Sequence, residues 1–306
     1  SINGQGGDVV SFINVADEDG GGLDNAFWNG AAMFYGNGRQ AFGPLAGSLD
    51  VGGHEMSHGV IGNTANLEYQ GQSGALNEAY ADIFGVMIDR DDWQLGEGVT
   101  STNYIATGFL RAMSNPNNGT PAGSNPLSTP GHQPAHMDFL FTGSQDNGGV
   151  HINSGIINFA AYKYAQATSR NTCEQVFYRA LTEYLGRTSQ FTDDRIAGIQ
   201  SARDLFGNNS AEVAAAQNAF ADVGIGDPAT SGNNDPTPNT DVPEVPTNPG
   251  QDFIVSSDIN PSDPNTWYIS STIGDNFQAL SQTPTQTRMS VTDDGSLGAF
   301  VGTDKH

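Results

Sequence analysis

Basic residues are scarce in this chain. Eleven Lys and Arg stand against 34 Asp and Glu in 306 residues, and Lys163 and Lys305 are the only lysines. A net charge of −23 argues against a nucleic-acid partner, because phosphate backbones need a basic footprint. Anionic membrane surfaces are disfavoured for the same reason. The acidic excess fits a self-repelling, secreted protein, with adaptation to salty surroundings as the sharper alternative. Cysteine is almost missing as well. Cys173 has no internal partner, so no disulfide can form within the chain and stability must come from packing and bound metal. It lies in an apolar helical run and reads as a small buried hydrophobe, not a nucleophile. Hydrophobic residues make up only 36%. No apolar run reaches the roughly 18 residues that a membrane-spanning helix needs. No signal peptide is visible, and the opening Ser1-Ile2-Asn3-Gly4 lacks a methionine, as in a processed or cut product.

Glycine is plentiful, at 39 residues beside 15 prolines, which implies many turns and some linker. Residues 8–13 and 25–35 read as strands, with Gly36-Asn37-Gly38 as a turn. A helical pattern runs from about Leu49 to Ala65 and another from about Gly74 to Ile88. The stretch 114–150 is loop-like. Helical patterns resume at about 153–168, 174–185, 193–206 and 210–222, the last with Ser210 as N-cap and Glu212 in its first turn. Residues 227–250 are Asp, Asn, Thr, Pro and Gly, an extended linker. Residues 251–306 alternate in short segments, Phe253-Ile254-Val255, Trp267-Tyr268-Ile269-Ser270, Arg288-Met289-Ser290-Val291 and Ala299-Phe300-Val301, with a turn at Asp293-Asp294-Gly295-Ser296. They read as a partial β module, such as the start of a propeller.

The most informative pattern is His54-Glu55-Met56-Ser57-His58, followed by Asn77-Glu78-Ala79-Tyr80-Ala81-Asp82. Histidines four apart share a helix face and can close on one metal ion. Glu55, on a neighbouring part of that face, can hold a water bound to that metal. A catalytic zinc takes three protein ligands and keeps one position open, and Glu78 on the next helix can supply the third. The five residues alone leave a chance match open. The apolar, small flank Val51-Gly52-Gly53 and the half-buried run from Gly74 are not how a surface helix is written.

Four blocks in order carry a family resemblance. They are Asn25-Ala26-Phe27-Trp28-Asn29-Gly30, Gly53 to His58, Gly74 to Gly85, and Asp146-Asn147-Gly148-Gly149-Val150-His151-Ile152-Asn153-Ser154-Gly155-Ile156. Residues 1–226 resemble the thermolysin family of zinc metallopeptidases. The resemblance implies an α+β fold, a two-lobed zinc peptidase with a mainly helical C-terminal lobe, to which this chain adds a small all-β fragment. The expected organisation is a reduced α+β lobe with the histidine helix over 1–69, a helical lobe over 70–226, linker 227–250 and the β module 251–306. Family catalytic domains carry more of the N-terminal β lobe before the point where this chain begins.

The resemblance also implies site residues. His54, His58 and Glu78 would hold one zinc ion, with Glu55 as general base. His151 and Tyr69 would donate to the oxyanion, and Asp146 is placed to orient His151. Asp82 would orient His54, and Asn77 would orient His58. Asp82 lies one helical turn from Glu78 and so faces the same side. Asn25 and Ala26 match the edge strand that pairs with an extended peptide. Arg111, which follows an apolar helix face, matches an arginine that binds a substrate carbonyl. Phe42, Leu45, Val51, Leu95, Val99 and Leu110 match the pocket just after the scissile bond, so cleavage before Leu, Phe, Ile or Val is expected.

Asp50, Asp89, Asp92 and Glu97 match the family's calcium ligands, and hard oxygen donors suit that ion. A short loop between Asp89 and Asp92, with Gln94 in place of a carboxylate, points to one structural calcium and not a pair. His132 and His136 are four apart, but Pro134 breaks any helix between them. His306 reads as incidental. The reading is a secreted, monomeric zinc endopeptidase acting on peptides or proteins, with no nucleic-acid or membrane partner. A zinc aminopeptidase is one rival, although a G-x-M-E-N-type motif is missing. A truncated surface or adhesion protein without catalysis is the other.

Overall fold

A computed structural model describes residues 2, 9–117, 133–229 and the strand residues 253–256, 267–271, 278–281, 290–291 and 298–299. It is α+β and divides into two units, residues 1–237 and 238–306. None of its described helices is long and apolar enough to cross a membrane.

The first unit begins with a three-stranded sheet of β1 (Ser11–Val15), β2 (Ala26–Trp28) and β3 (Met33–Gly36), in the order β1-β3-β2. β1 runs parallel to β3, and β2 antiparallel to it. Strand periodicity sends Met33 and Tyr35 inward, where they pack with Leu45 and Val51 over Trp28 and Phe42. The opposite face carries Phe12, Phe34 and Phe27 as a stacked row, with ring centroids 4.9 and 5.0 Å apart.

Six helices follow: α1 (Leu49–Gly62), α2 (Gly71–Ile88), α3 (Asp146–Ala167), α4 (Arg170–Arg179), α5 (Phe191–Phe206) and α6 (Ala211–Ala221). Ser169 and Ser210 cap α4 and α6 through their hydroxyls, and Gln190 with Asp193 forms a capping box on α5. The core lies among α2 to α6, around Leu76, Tyr80, Ile83, Ile156, Tyr164 and Phe177. α2 is buried on nearly every side, which explains its lack of a polar stripe. Cys173 is fully buried in this core.

Glycine sets how closely α1 and α2 approach. A Cβ on Gly53 would stand 3.1 Å from the Gly85 Cα, and one on Gly85 would stand 2.9 Å from the Asp50 carbonyl. The two bare backbones therefore touch, which brings the histidine face of α1 against Glu78 of α2.

Several boundaries differ from the sequence reading. α2 starts at Gly71, α3 takes in Asp146, and a π turn at Ala180–Tyr184 follows α4. The run 109–113, expected on a helix, is extended instead. Arg111–Ala112 forms β5, antiparallel to β4 (Gln94–Leu95), because the Leu110 and Met113 N–H groups bond the carbonyls of Leu95 and Trp93. In the second unit β6 (Phe253–Ser256), β7 (Trp267–Ser271) and β8 (Gln278–Ser281) form an antiparallel meander. β9 (Ser290–Val291) pairs with β10 (Gly298–Ala299). β8 was not expected from the sequence. Asp8, His132, His306, linker residues 230–250, and the 288–289, 293–296 and 300–301 segments lie outside the described residues.

Candidate metal centre and cleft

The imidazoles of His54 and His58 turn toward each other from successive turns of α1, with their Nε2 atoms 3.0 Å apart. Glu78 Oε2 lies 3.5 Å from His54 Nε2, and Oε1 lies 3.5 Å from His58 Nε2. The other ring nitrogens are already committed. His54 Nδ1 donates to Asp82 Oδ1 at 2.8 Å, and His58 Nδ1 donates to Asn77 Oδ1 at 2.7 Å. Asn77 is itself fixed by donating Nδ2 to the Leu67 carbonyl at 3.0 Å. These partners leave both Nε2 lone pairs bare in the neutral rings, and they converge with a carboxylate on one point. Such a set repels itself unless a cation sits between its members. Two imidazole nitrogens and one carboxylate oxygen are a zinc donor set with a fourth position open.

The electrostatics of His58 and Glu78 agree with that role, whereas burial lowers the His54 imidazole but Asp82, Glu78 and Glu55 raise it overall. Burial pushes the His58 imidazole down to about 4, against the pull of Glu78. Burial alone would raise the Glu78 carboxyl, but His151, His58, His54 and Arg111 hold it down at about 2. A neutral imidazole and an ionised carboxylate are the forms that ligate metal. Burial also drives the neighbouring Glu55 carboxyl above the usual range.

Asp82 is fully buried. Arg111 grips it with Nε on Oδ2 and Nη2 on Oδ1, both at 2.7 Å. This fork holds the Asp82 carboxyl well below the ordinary range despite its burial. The Arg111 side chain is 12% exposed and still lines the cleft.

His151 belongs to the first regular turn of α3. Before it, Asp146, Asn147, Gly148 and Gly149 all have positive φ, from 49° to 83°. This left-handed turn folds the Asp146 carboxylate back over the helix start. Its Oδ2 accepts the His151 N–H at 2.8 Å, and its Oδ1 accepts from Nδ1 at 2.7 Å. The free Nε2 then lies 3.1 Å from the Tyr69 hydroxyl and 3.4 Å from Glu78 Oε1. Tyr69 also donates to Glu78 Oε1.

These groups border a cleft of about 600 Å³. It follows α1, from Val51 past His54, Glu55 and His58 to Gly62, roughly 16 Å at the helical rise. Phe42, Leu45, Val51, Leu95 and Leu110 line it, as do Asn25 and Ala26 of the β2 edge. Val99 is not among its lining residues; its carbonyl instead accepts the Gly43 N–H at 2.7 Å beneath the wall. Phe27, Trp28, Gly62, Asn66, Leu67 and Gly96 line the cleft without having been singled out. Trp28 was visible in its motif block. Asn66, with φ of 49°, gives no local signal of its place.

Asp50, Asp89 and Glu97 bring carboxylate oxygens within 4.8 Å of one another. Asp92 stays outside this triad, and its Oδ1 accepts the Gln94 N–H at 2.6 Å. Burial, followed by Asp50, Asp92 and Asp89, pushes the Glu97 carboxyl up to about 7. His136 serves as the N-cap of the Met137–Phe139 turn.

Comparison with known proteins adds to this geometry. Residues 1–62 match the family described as "Thermolysin metallopeptidase, catalytic domain", and residues 65–225 match "Thermolysin metallopeptidase, alpha-helical domain". The chain is 43% identical over 222 residues to a thermolysin of Alicyclobacillus acidocaldarius, an overlap covering 67% of this chain and 38% of that protein. It is 42% identical over 221 residues to the neutral protease NprE of Bacillus pumilus, covering 72% and 68% respectively. Among solved structures it resembles the precursor of protealysin, a metalloproteinase from Serratia proteamaculans. That match has a TM-score of 0.65 and 33% identity, over 74% of this chain and 71% of the other. The chain thus spans 38% of the length of the thermolysins it matches.

Proposed function

The chain belongs to the thermolysin family of metallopeptidases, and from that premise we propose that it is a secreted zinc endopeptidase cleaving peptide bonds before large apolar residues. The observation that carries the reading is the convergence of two bare Nε2 atoms and the Glu78 carboxylate beside a buried, proton-accepting Glu55.

His54, His58 and Glu78 would hold a zinc ion, which when bound would acidify a water to a pKa of about 7 and polarise the scissile carbonyl. Glu55 takes the proton as the water attacks and passes it to the leaving amine. Its raised affinity for protons, a consequence of burial, suits both halves of that transfer. Tyr69 presents an O–H to the oxygen that gains charge, and His151 presents an Nε2–H in its doubly protonated form, which Glu78 and Asp146 favour overall although burial opposes it. Asp146 holds His151 by two hydrogen bonds, so that Nε2 points into the cleft. Arg111 binds a substrate carbonyl with the part of its guanidinium that Asp82 leaves free. Asn25 and Ala26 pair with the peptide backbone along β2. Phe42, Leu45, Val51, Leu95 and Leu110 form an apolar wall that receives the residue after the scissile bond. One calcium ion held by Asp50, Asp89 and Glu97 would brace that wall, since Leu95 and Gly96 lie between those acids.

Casein hydrolysis tests the reading. The purified chain should digest casein, stop with a zinc chelator and recover with added zinc. Glu55→Gln should retain zinc but lose about 10²–10⁴-fold in kcat, the share of a general base. Digestion that persists without zinc, or survives Glu55→Gln, overturns the assignment.

A further inference from the structure

Asp82 accepts four hydrogen bonds, and one donor is absent from the roles described so far. Oδ1 takes His54 Nδ1 and Arg111 Nη2, and Oδ2 takes Arg111 Nε and the Nδ2 of Asn158 at 2.8 Å. A carboxylate offers about four acceptor sites, so Asn158 completes the set. Asn158 lies on α3, on a face it shares with the buried Ser154 and Ala161, and is 1% exposed. Packing gives no reason for an amide there. Its Oδ1 is buried without a hydrogen-bond partner among the described residues, an arrangement that destabilises a core. A polar side chain kept at that cost has its use in the one bond it does make.

That bond bears on two functional groups. Arg111 holds both oxygens of Asp82, so without Asn158 the carboxylate could swing with the guanidinium. A third element, α3, pins Oδ2 and thereby fixes the direction of Oδ1 toward His54. We propose that Asn158 is a positioning residue which, through Asp82, sets both the tautomer and aim of His54 and the seat of Arg111, and so couples zinc affinity to substrate binding. The proposal rests on the zinc peptidase reading above.

The test uses the full chain. Asn158→Leu removes the donor at similar volume, and Asn158→Ala removes it without added bulk should the leucine variant fail to fold. Zinc affinity is read by competition with a chromophoric chelator, thermal unfolding is followed on the metal-free proteins, and kcat and KM are measured at saturating zinc. Partners behind a metal-bound histidine are worth 10–100-fold in affinity. Zinc should bind about tenfold or more weakly in either variant, and KM should rise even when zinc is saturating. A zinc affinity within twofold of the unaltered chain, with only the unfolding temperature changed, overturns this role alone. An unaltered chain that takes up no zinc overturns the parent reading and this role with it.

Discussion

Asp24 holds two walls of the cleft with one side chain. Its Oδ1 accepts the N–H groups of Arg39, Gln40 and Phe42, and its Oδ2 those of Gln40 and Ala41, at 2.6 to 3.2 Å. Burial works to raise its pKa, yet these backbone donors lower it overall. Asp24 precedes Asn25 on the β2 edge, and the loop it grips ends at Phe42 on the apolar wall. Asp24→Ala should therefore raise KM about three- to tenfold through the loss of charge-assisted hydrogen bonds. Zinc affinity should not move, because the metal donors stand on α1 and α2. An unchanged KM in a folded variant would refute the link. Asp24 gives no sign of this in the sequence, and neither does Asn158. Their roles depend on residues 15 and 76 positions away. His54, His58 and Glu78 are legible for the opposite reason, since helical periodicity alone puts the two histidines on one face. Asp82 fell on the same side as Glu78 by the same local rule, whereas Asn77 was legible only through the family resemblance.

Elements carry the geometry that residues cannot. The turn from Asp146 to Gly149 is left-handed throughout, a conformation that costs an L-residue with a Cβ roughly 1–2 kcal/mol. It reverses the chain so that Asp146 lies over the start of α3. Gly149 is the tightest point, where an added Cβ would stand 2.6 Å from the Phe141 ring. Gly149→Ala should displace His151 and lower kcat by about tenfold or more, on the scale of a lost oxyanion donor. Metal content, read by elemental analysis, should stay the same. A normal kcat would mean that the turn does not set the histidine. The glycines of this block were visible in the sequence, but the handedness of four successive residues was not, and the run read as a loop. The strand at Arg111 escaped for a related reason. Its apolar neighbours satisfy a helix pattern as well as a strand pattern, and only pairing with Leu95 and Trp93 decides between them.

The whole molecule is short of cations, and most of those among the described residues are engaged. Arg39, Arg90, Arg111, Arg179, Arg187 and Lys163 each pair with a carboxylate. Buried acids elsewhere must manage without a positive partner, and Asp194 is the clearest case. It is fully buried between α5 and α2 and accepts the Tyr80 hydroxyl on Oδ1 at 2.6 Å, while Oδ2 has no partner among the described residues. Burial pushes its carboxyl up to about 7, with Tyr80 opposing and Asp193 adding to the rise. Between about pH 4 and about pH 7 the folded chain keeps a proton there that the unfolded chain has released. Stability from this group is therefore full below about pH 4 and falls as pH rises through about 7. Asp194→Asn mimics the protonated form and cannot titrate. Its stability relative to the unaltered chain should rise from pH 5 and level off above about pH 7, by on the order of 2–3 kcal/mol, over a pH-independent cost of the new, unpartnered amide. Other titrating groups are common to both proteins and cancel in that difference. Parallel unfolding curves across the range would show that Asp194 is ionised in the fold and that the core supplies it a partner.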